Sequence, residues 1–451
     1  MNLNRRHFMC AAASLPLIGI ARAQTAPSLT IASRVLDVKG KAAKVFGIIG
    51  PNGKPGLDMV LGQQFQFNLI NDTAEETAIH WHGLTPPTAQ DGVPMLSGPS
   101  LKAGESRLYD FENNKPGTHW MHSHLGLQEQ LMLAGPLIVR ELQTQLFDEQ
   151  EHVVMLHDFS FRDPQEILAD LRKGMEEMPG MVMTNDVTYD ALLANDRTLD
   201  DPEILRSEIG GHLRLRIINA SASTNMWIDL GTLEGALIAV DGNTVFPVNG
   251  KRFPLAIAQR ADIRIALPNN AGAWPVLFQS EGTTLRSGII VQAGKAEIGQ
   301  ISDQGEAGAP LDYSLEAKLH SAAQVLKEPV DNAQLVALTG SDKDYIWGFN
   351  GKPMMHDILF NVREGERVEI TMQNQTTMAH PMHLHGHYFK VVGLGDKTID
   401  GAVRDTLLIP AGERATIQFD AKNPGLWAFH CHHLYHMNSG MMAAIGYAGA
   451  A

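Results

Sequence analysis

The chain has 451 residues, 44% of them hydrophobic and 19% charged, with 19 His and 20 Met but only 2 Cys. Two cysteines exclude a disulfide-built scaffold and multi-Cys zinc sites. The formal charge of −14 excludes nucleic acid as a partner, because phosphates demand a basic face. The length suits roughly three domains of about 150 residues each, and the histidine excess points to imidazole chemistry, either metal ligation or proton transfer.

At the N-terminus, Asn4-Arg5-Arg6-His7-Phe8-Met9 is a twin-arginine pattern, followed by an apolar run from Cys10 to Ile20 and by Ala21-Arg22-Ala23. A charged start, an apolar run and a small-residue cleavage site predict an export signal over residues 1–23. The run is too short for a bilayer span of ~20 residues. The expectation is therefore no stable membrane insertion, a periplasmic or otherwise exported protein, and the twin-arginine translocase as partner during export. Cleavage removes Arg5, Arg6 and Arg22, deepening the negative charge by three, and also removes Cys10. Cys431 is then the remaining thiol, either inert in a core or binding something.

Beyond the signal, period-two alternation dominates. Phe65–Leu69, Leu213–Ile217 and Ile263–Ile265 read as half-buried strands. Helical patterns are scarce, with Pro164–Lys173 and Pro202–Ser207 the best short candidates. Three segments align without gaps: Gly62–Asn71, Gly210–Asn219 and Gly365–Asn374, their Asn residues 148 and 155 apart. Nine residues after each Asn stand His80, Ile228 and His383. A second alignment sets His122 six residues beyond Pro116 and His430 six beyond Pro424, while the Ala271-Gly272 copy leads to Leu277. The expectation is an all-β chain of three like sandwiches over 24–145, 146–300 and 301–451, with Gln292–Pro310 as the second linker and imidazoles in the outer two.

Four His-X-His pairs follow from the same alignment: His80/His82, His122/His124, His383/His385 and His430/His432. On a strand, residues i and i+2 share a face, so each pair aims two imidazoles at one place. Eight converging imidazoles are costly in a core unless metal or hydrogen bonds satisfy them. Imidazoles alone suit Zn, Cu, Fe or Ni; Cys431 makes the choice. It points away from His430 and His432 and needs its own metal there. With His380, His436 and a weak axial Met441 it completes a blue-copper ligand set. Met442 competes with Met441, and Asn438-Ser439-Gly440 supplies the turn that brings the segment back.

With His80-Trp-His82-Gly, His122-Ser-His124, His380-Pro-Met-His383-Leu-His385-Gly and His430-Cys-His432 running on to His436 and Met441, the sequence resembles a three-domain multicopper oxidase of the laccase and bacterial copper-tolerance kind. The resemblance implies three consecutive cupredoxin-like Greek-key sandwiches and four coppers per chain. His380, Cys431, His436 and Met441 would hold the type 1 copper, and His80 and His383 the type 2. His82, His122, His124, His385, His430 and His432 would hold the type 3 pair. It implies one-electron oxidation of a reductant at the type 1 site, passed through Cys431 to dioxygen, which is reduced to water. Asp91, before Gly92, matches the family's acid near the type 2 copper and is a candidate proton relay; its other reading is a turn-forming Asp. Many relatives carry an acid directly after the second type 1 His. Here Met437 stands there, beside Tyr435, which leaves the second half of the proton path unassigned.

His119, His387 and His433 read as partners of the ligating imidazoles or as surface residues, and His152, His157, His212, His320 and His356 as ordinary. Met175, Met178, Met181 and Met183 read as apolar packing or as soft Cu(I) ligands; Met378, Met354 and Met355 keep Cu(I) oxidation open. The reductant is a small molecule such as a phenol, or a metal ion such as Cu(I) or Mn(II). The alternatives are a copper nitrite reductase, which needs no three-copper cluster, and a copper-free scaffold that kept the fold, against which the complete ligand set argues.

Overall fold

The computed structural model describes residues 26–142, 148–174, 184–323 and 329–449. The export segment and Met175, Met178, Met181 and Met183 lie outside the described residues. Alternation builds the strands. In Phe65–Asp72, the side chains of Phe65, Phe67, Leu69 and Asn71 are buried, while Gln66 and Asp72 face out.

The topology repeats three times. Ser28–Val38 lies parallel to Phe65–Asp72, Gln150–Phe159 to His212–Asn219, and Asn332–Ser341 to Arg367–Asn374. In the second sheet of each unit, Leu57–Val60 lies parallel to Ala134–Arg140, Glu203–Ser207 to Arg286–Ala293, and Met354–Val362 to Met441–Tyr447. One antiparallel pair recurs in that sheet: Ile79–His82 on Gly117–Ser123, Met226–Asp229 on Gly272–Ser280, and His380–Leu384 on Leu426–Cys431. Each pair of sheets closes over its own apolar core. The chain is thus three consecutive cupredoxin-like β-sandwiches, as expected.

The repeated Asn has a physical reason. Asn71 Nδ2 donates to the carbonyls of Glu75 (2.7 Å) and Leu101 (3.0 Å). Asn219 does so to Thr224 (3.0 Å) and Leu255 (3.1 Å), and Asn374 to Met378 (2.7 Å) and Ile409 (3.1 Å). In each copy Oδ1 accepts from the backbone N–H two residues on, at Thr73, Ser221 and Thr376. One amide closes the loop that leads into the next strand, and that strand carries His80 or His383. Asn219→Ala strands three buried backbone groups in the middle unit. At about 1–3 kcal/mol for each unpaired group, an expected loss of about 3 kcal/mol is read from urea unfolding; a change under about 0.5 kcal/mol would refute this role.

Two expectations are corrected. Pro202–Ser207 is not helical: Glu203–Ser207 is an edge strand whose Leu205 is buried and Ile204 exposed, and pairing with Arg286–Ala293 overrides its local pattern. The partner of Ile228 is Phe278, not Leu277, so the middle copy runs one residue longer after its Gly. Pro164–Leu171 is the helix foreseen, capped by Asp163, whose side chain accepts from Gln165 N.

Candidate metal centre

The register of these recurring pairs places the histidines. His80 stands opposite His122, and His383 opposite His430. With period two along each strand, His82, His124, His385 and His432 follow, and the recurring strand pairs of the first and third units face one another. All eight side chains are buried.

They sort into three groups whose donor atoms lie within 4.8 Å of one another: His82, His122 and His432; His124, His385 and His430; and His80 and His383 together with His82. Every group mixes residues of the first and third units, so the site exists only at their interface. In the first group His82 Nδ1, His122 Nε2 and His432 Nε2 are buried without a hydrogen-bond partner. In the second, His385 Nε2 and His430 Nε2 face each other at 3.0 Å, and His124 Nε2 and His430 Nε2 at 3.4 Å. His80 Nε2 and His383 Nε2 face each other at 3.5 Å. Lone pairs set against lone pairs in a dry interior are costly unless a cation sits among them. The donor set fits copper on this observation.

Burial, reinforced by neighbouring imidazoles, holds His82, His122, His124, His383, His385 and His432 well below the usual histidine range. It pushes His430 down to about 3. The rings are thus neutral, the form that binds metal.

Backbone carbonyls hold several outward nitrogens, that of Asp91 for His80 Nδ1 and that of Ser123 for His122 Nδ1, each at 3.1 Å, and three buried acidic residues each lie against a histidine of the first unit and one of the third. Asp91 Oδ1 is 3.1 Å from His80 Nδ1 and Oδ2 is 2.8 Å from His385 Nδ1. Glu129 Oε2 is 3.1 Å from His122 Nδ1 and Oε1 is 3.7 Å from His432 Nδ1. Asp405 Oδ1 is 3.1 Å from His82 Nε2, and its carbonyl lies 2.8 Å from His383 Nδ1. Such partners fix ring orientation and tautomer. Burial pushes the Glu129 carboxyl well above the ordinary range.

Cys431 faces the other side of its strand. Its Sγ lies 3.5 Å from His380 Nδ1 and 3.8 Å from His436 Nδ1, and those two nitrogens are 3.3 Å apart. Burial pushes the thiol's pKa up, so a cation must draw the proton off before the sulfur can ligate. His380 Nε2 meets Thr376 Oγ1 at 2.8 Å. His436 is covered by His433, stacked at 3.7 Å, and by Trp347 at 4.1 Å between ring centroids. Its Nε2 lies 3.6 Å from Asp186 Oδ2, while Asp186 Oδ1 meets His433 Nε2 at 3.1 Å. Register also separates the two methionines. Met442 stands opposite His430 and shares that residue's face; Met441, one residue earlier, is therefore on the face of Cys431.

His119, His387 and His433 are all buried, which corrects the surface reading. His387 Nε2 meets Tyr447 OH at 2.6 Å, and His433 caps the short helix Leu434–Asn438. Glu129, Asp405, Asp186 and Thr376 escaped the sequence reading. No local pattern marks Glu129, which stands in the polar triplet Gln128-Glu129-Gln130.

Comparison with known proteins agrees with this geometry. Three family models described as multicopper oxidase match residues 31–144, 150–295 and 327–448. The chain is 27% identical to the multicopper oxidase MmcO of Mycobacterium tuberculosis, over 87% of this chain and 81% of that one. It is also 27% identical to a copper resistance protein A homolog of Pseudomonas syringae pv. tomato, over 92% and 91%. In fold it resembles the crystal structure of Fet3p, described as a multicopper oxidase that functions in iron import, with a TM-score of 0.79 at 20% identity, covering 93% of this chain and 90% of that one. The three matches together run across all three sandwiches, and the chain belongs to the multicopper oxidases.

Proposed function

We propose that this oxidase holds four coppers in the following way. His380, Cys431 and His436, with Met441 as axial ligand, form the type 1 site; His80 and His383 the type 2; and the sets His82/His122/His432 and His124/His385/His430 the type 3 pair. The unpartnered and facing imidazole nitrogens carry this reading. Bound copper supplies one-electron acceptance at the thiolate site and four-electron reduction of dioxygen to water at the cluster. The chain supplies the rest. Cys431 lies between His430 and His432, so a short covalent path joins the two sites. The ligands of the thiolate site are fully buried, so a reductant delivers its electron through covering side chains such as Trp347. The boundaries 24–145, 146–300 and 301–451 are supported by the gaps between the family matches.

Asp91 is the proton relay in this reading. Its Oδ2, 2.8 Å from His385 Nδ1 and in a side chain only 2% exposed, can hold a proton beside the cluster. Asp91→Asn is expected to lower turnover about 100-fold, within the range of acid–base contributions, with copper content and blue absorption unchanged; wild-type oxygen uptake would refute the relay.

The reductant is a phenol or a metal ion such as Cu(I) or Mn(II). Relatives described as copper resistance proteins, laccases and an iron-import oxidase span both classes. Oxygen-consumption rates with phenols, Cu(I), Fe(II) and Mn(II), alongside copper analysis of the protein, test the proposal. About four coppers per chain are expected, and a colourless copper-free protein would overturn the reading. Strict dependence on Cu(I), lost when the buried Met378 is changed, selects a cuprous oxidase; activity on phenols without added copper selects a laccase. Export through the twin-arginine route to the periplasm rests on residues 1–23. No described helix is long and apolar enough to cross a membrane.

A further inference from the structure

The middle sandwich carries none of the ten imidazoles; Asp186 brings it beside His436, and Arg260 brings it to the paired histidines. Arg260, at the start of Arg260–Ala266, is 0% exposed. Its Nη1 donates to Asp405 Oδ1 at 2.7 Å and its Nη2 to Asp405 Oδ2 at 2.5 Å. Its Nε donates to the carbonyl of Thr118, on the strand that carries His122, at 3.0 Å. The neighbouring Gln259 donates from Nε2 to the carbonyl of Thr406 at 3.1 Å. Two adjacent residues of the middle unit therefore grip two adjacent residues of the third.

Those two gripped residues are the ones that hold His82. Asp405 Oδ1 and Thr406 Oγ1 lie 3.1 and 3.2 Å from His82 Nε2. Thr406 also lies 3.2 Å from His383 Nδ1. A guanidinium fork on a carboxylate fixes the plane of the carboxylate as well as its position. With the plane of Asp405 fixed, Nε2 of His82 is committed to it, and Nδ1 is left without a protein partner inside the group it forms with His122 and His432.

We propose that Arg260 is a positioning residue for the cluster, contributed by the sandwich that holds no ligand: through Asp405 it decides which nitrogen of His82 faces the metal. The proposal rests on the assignment of His82, His122 and His432 to copper. Arg216 offers a control. It is likewise a buried arginine of the middle unit bonded to Thr118, through Oγ1 at 3.1 Å, but its carboxylate partners are Asp262 and Glu151, away from the cluster.

The test compares wild type, Arg260→Met, Arg260→Lys and Arg216→Met, all loaded with copper and then challenged with a chelator. Copper per chain, blue absorption and the paramagnetic resonance signal of the cluster are followed. Arg260→Met is expected to keep the blue absorption but to release cluster copper about tenfold faster, the lower end of the cost of losing an outer partner of a metal ligand. Arg260→Lys, which keeps the buried charge but not the fork, is expected to fall between Arg260→Met and wild type, and it decides the matter if the Met variant does not accumulate. Arg216→Met is expected to release copper like wild type. Wild-type release by the Arg260 variants, or equal loss from Arg216→Met, overturns the positioning role. A wild-type protein that takes up copper only at Cys431 overturns the ligand assignment instead.

Discussion

Cys431→Ser is expected to yield a colourless protein whose oxygen uptake falls to background, while copper at the eight paired histidines is retained. The change removes a sulfur that lies 3.5 Å from His380 Nδ1 and 3.8 Å from His436 Nδ1. A serine hydroxyl is a hard, weakly acidic ligand, and it does not replace a thiolate on copper. His430 and His432, on the opposite face of the chain, keep their contacts with the other imidazoles. The loss is therefore confined to electron entry. Absorption spectra, copper analysis and an oxygen electrode separate the two effects. Wild-type turnover in the serine variant would show that electrons reach the cluster without this site.

The second large effect is on stability. Nine of the ten imidazoles assigned to copper have their pKa depressed by burial, and His430 and His436 are pushed down to about 3. In the unfolded chain they titrate near 6.5. Between about pH 6.5 and pH 3 the unfolded state therefore binds more protons than the folded one. Folded copper-free protein must lose stability as pH falls through that window, because protons bind the unfolded chain in preference. Glu129, Asp158, Glu281, Glu316 and Asp405, whose pKa values are raised by burial, act in the opposite direction, but the imidazoles outnumber them. Bound copper adds stability by mass action and is itself displaced by protons. Urea unfolding of copper-loaded and copper-free protein at pH 7.5 and 5.5 is expected to show a wide gap between the two forms and a steep fall in the copper-free form. Equal stability of copper-free protein at both pH values would contradict the burial of neutral imidazoles.

The sequence carried much of this site for a simple reason. The ligands come in pairs two residues apart on strands, and period two is a local property that needs no knowledge of the fold. Cys431 was legible in the same way, because its neighbours His430 and His432 occupy the opposite face. The repeated Asn71, Asn219 and Asn374 marked three equivalent corners, although the hydrogen bonds that make them equivalent appear only in the folded chain. Pro202–Ser207 misled because an edge strand takes its conformation from its partner, which lies some eighty residues away.

What the sequence determined by itself is the pairing of the histidines around Cys431, the threefold repetition and the family. What the tertiary structure decided is everything that reaches the imidazoles from elsewhere. Asp405 meets His82 across 323 residues, Asp91 meets His385 across 294, and Arg260 meets Asp405 across 145. A buried carboxylate or guanidinium has no periodic neighbour to announce it, since its partner is set by how the sandwiches pack. The same packing turned a middle unit without ligands into the clamp on the histidine it never touches in sequence.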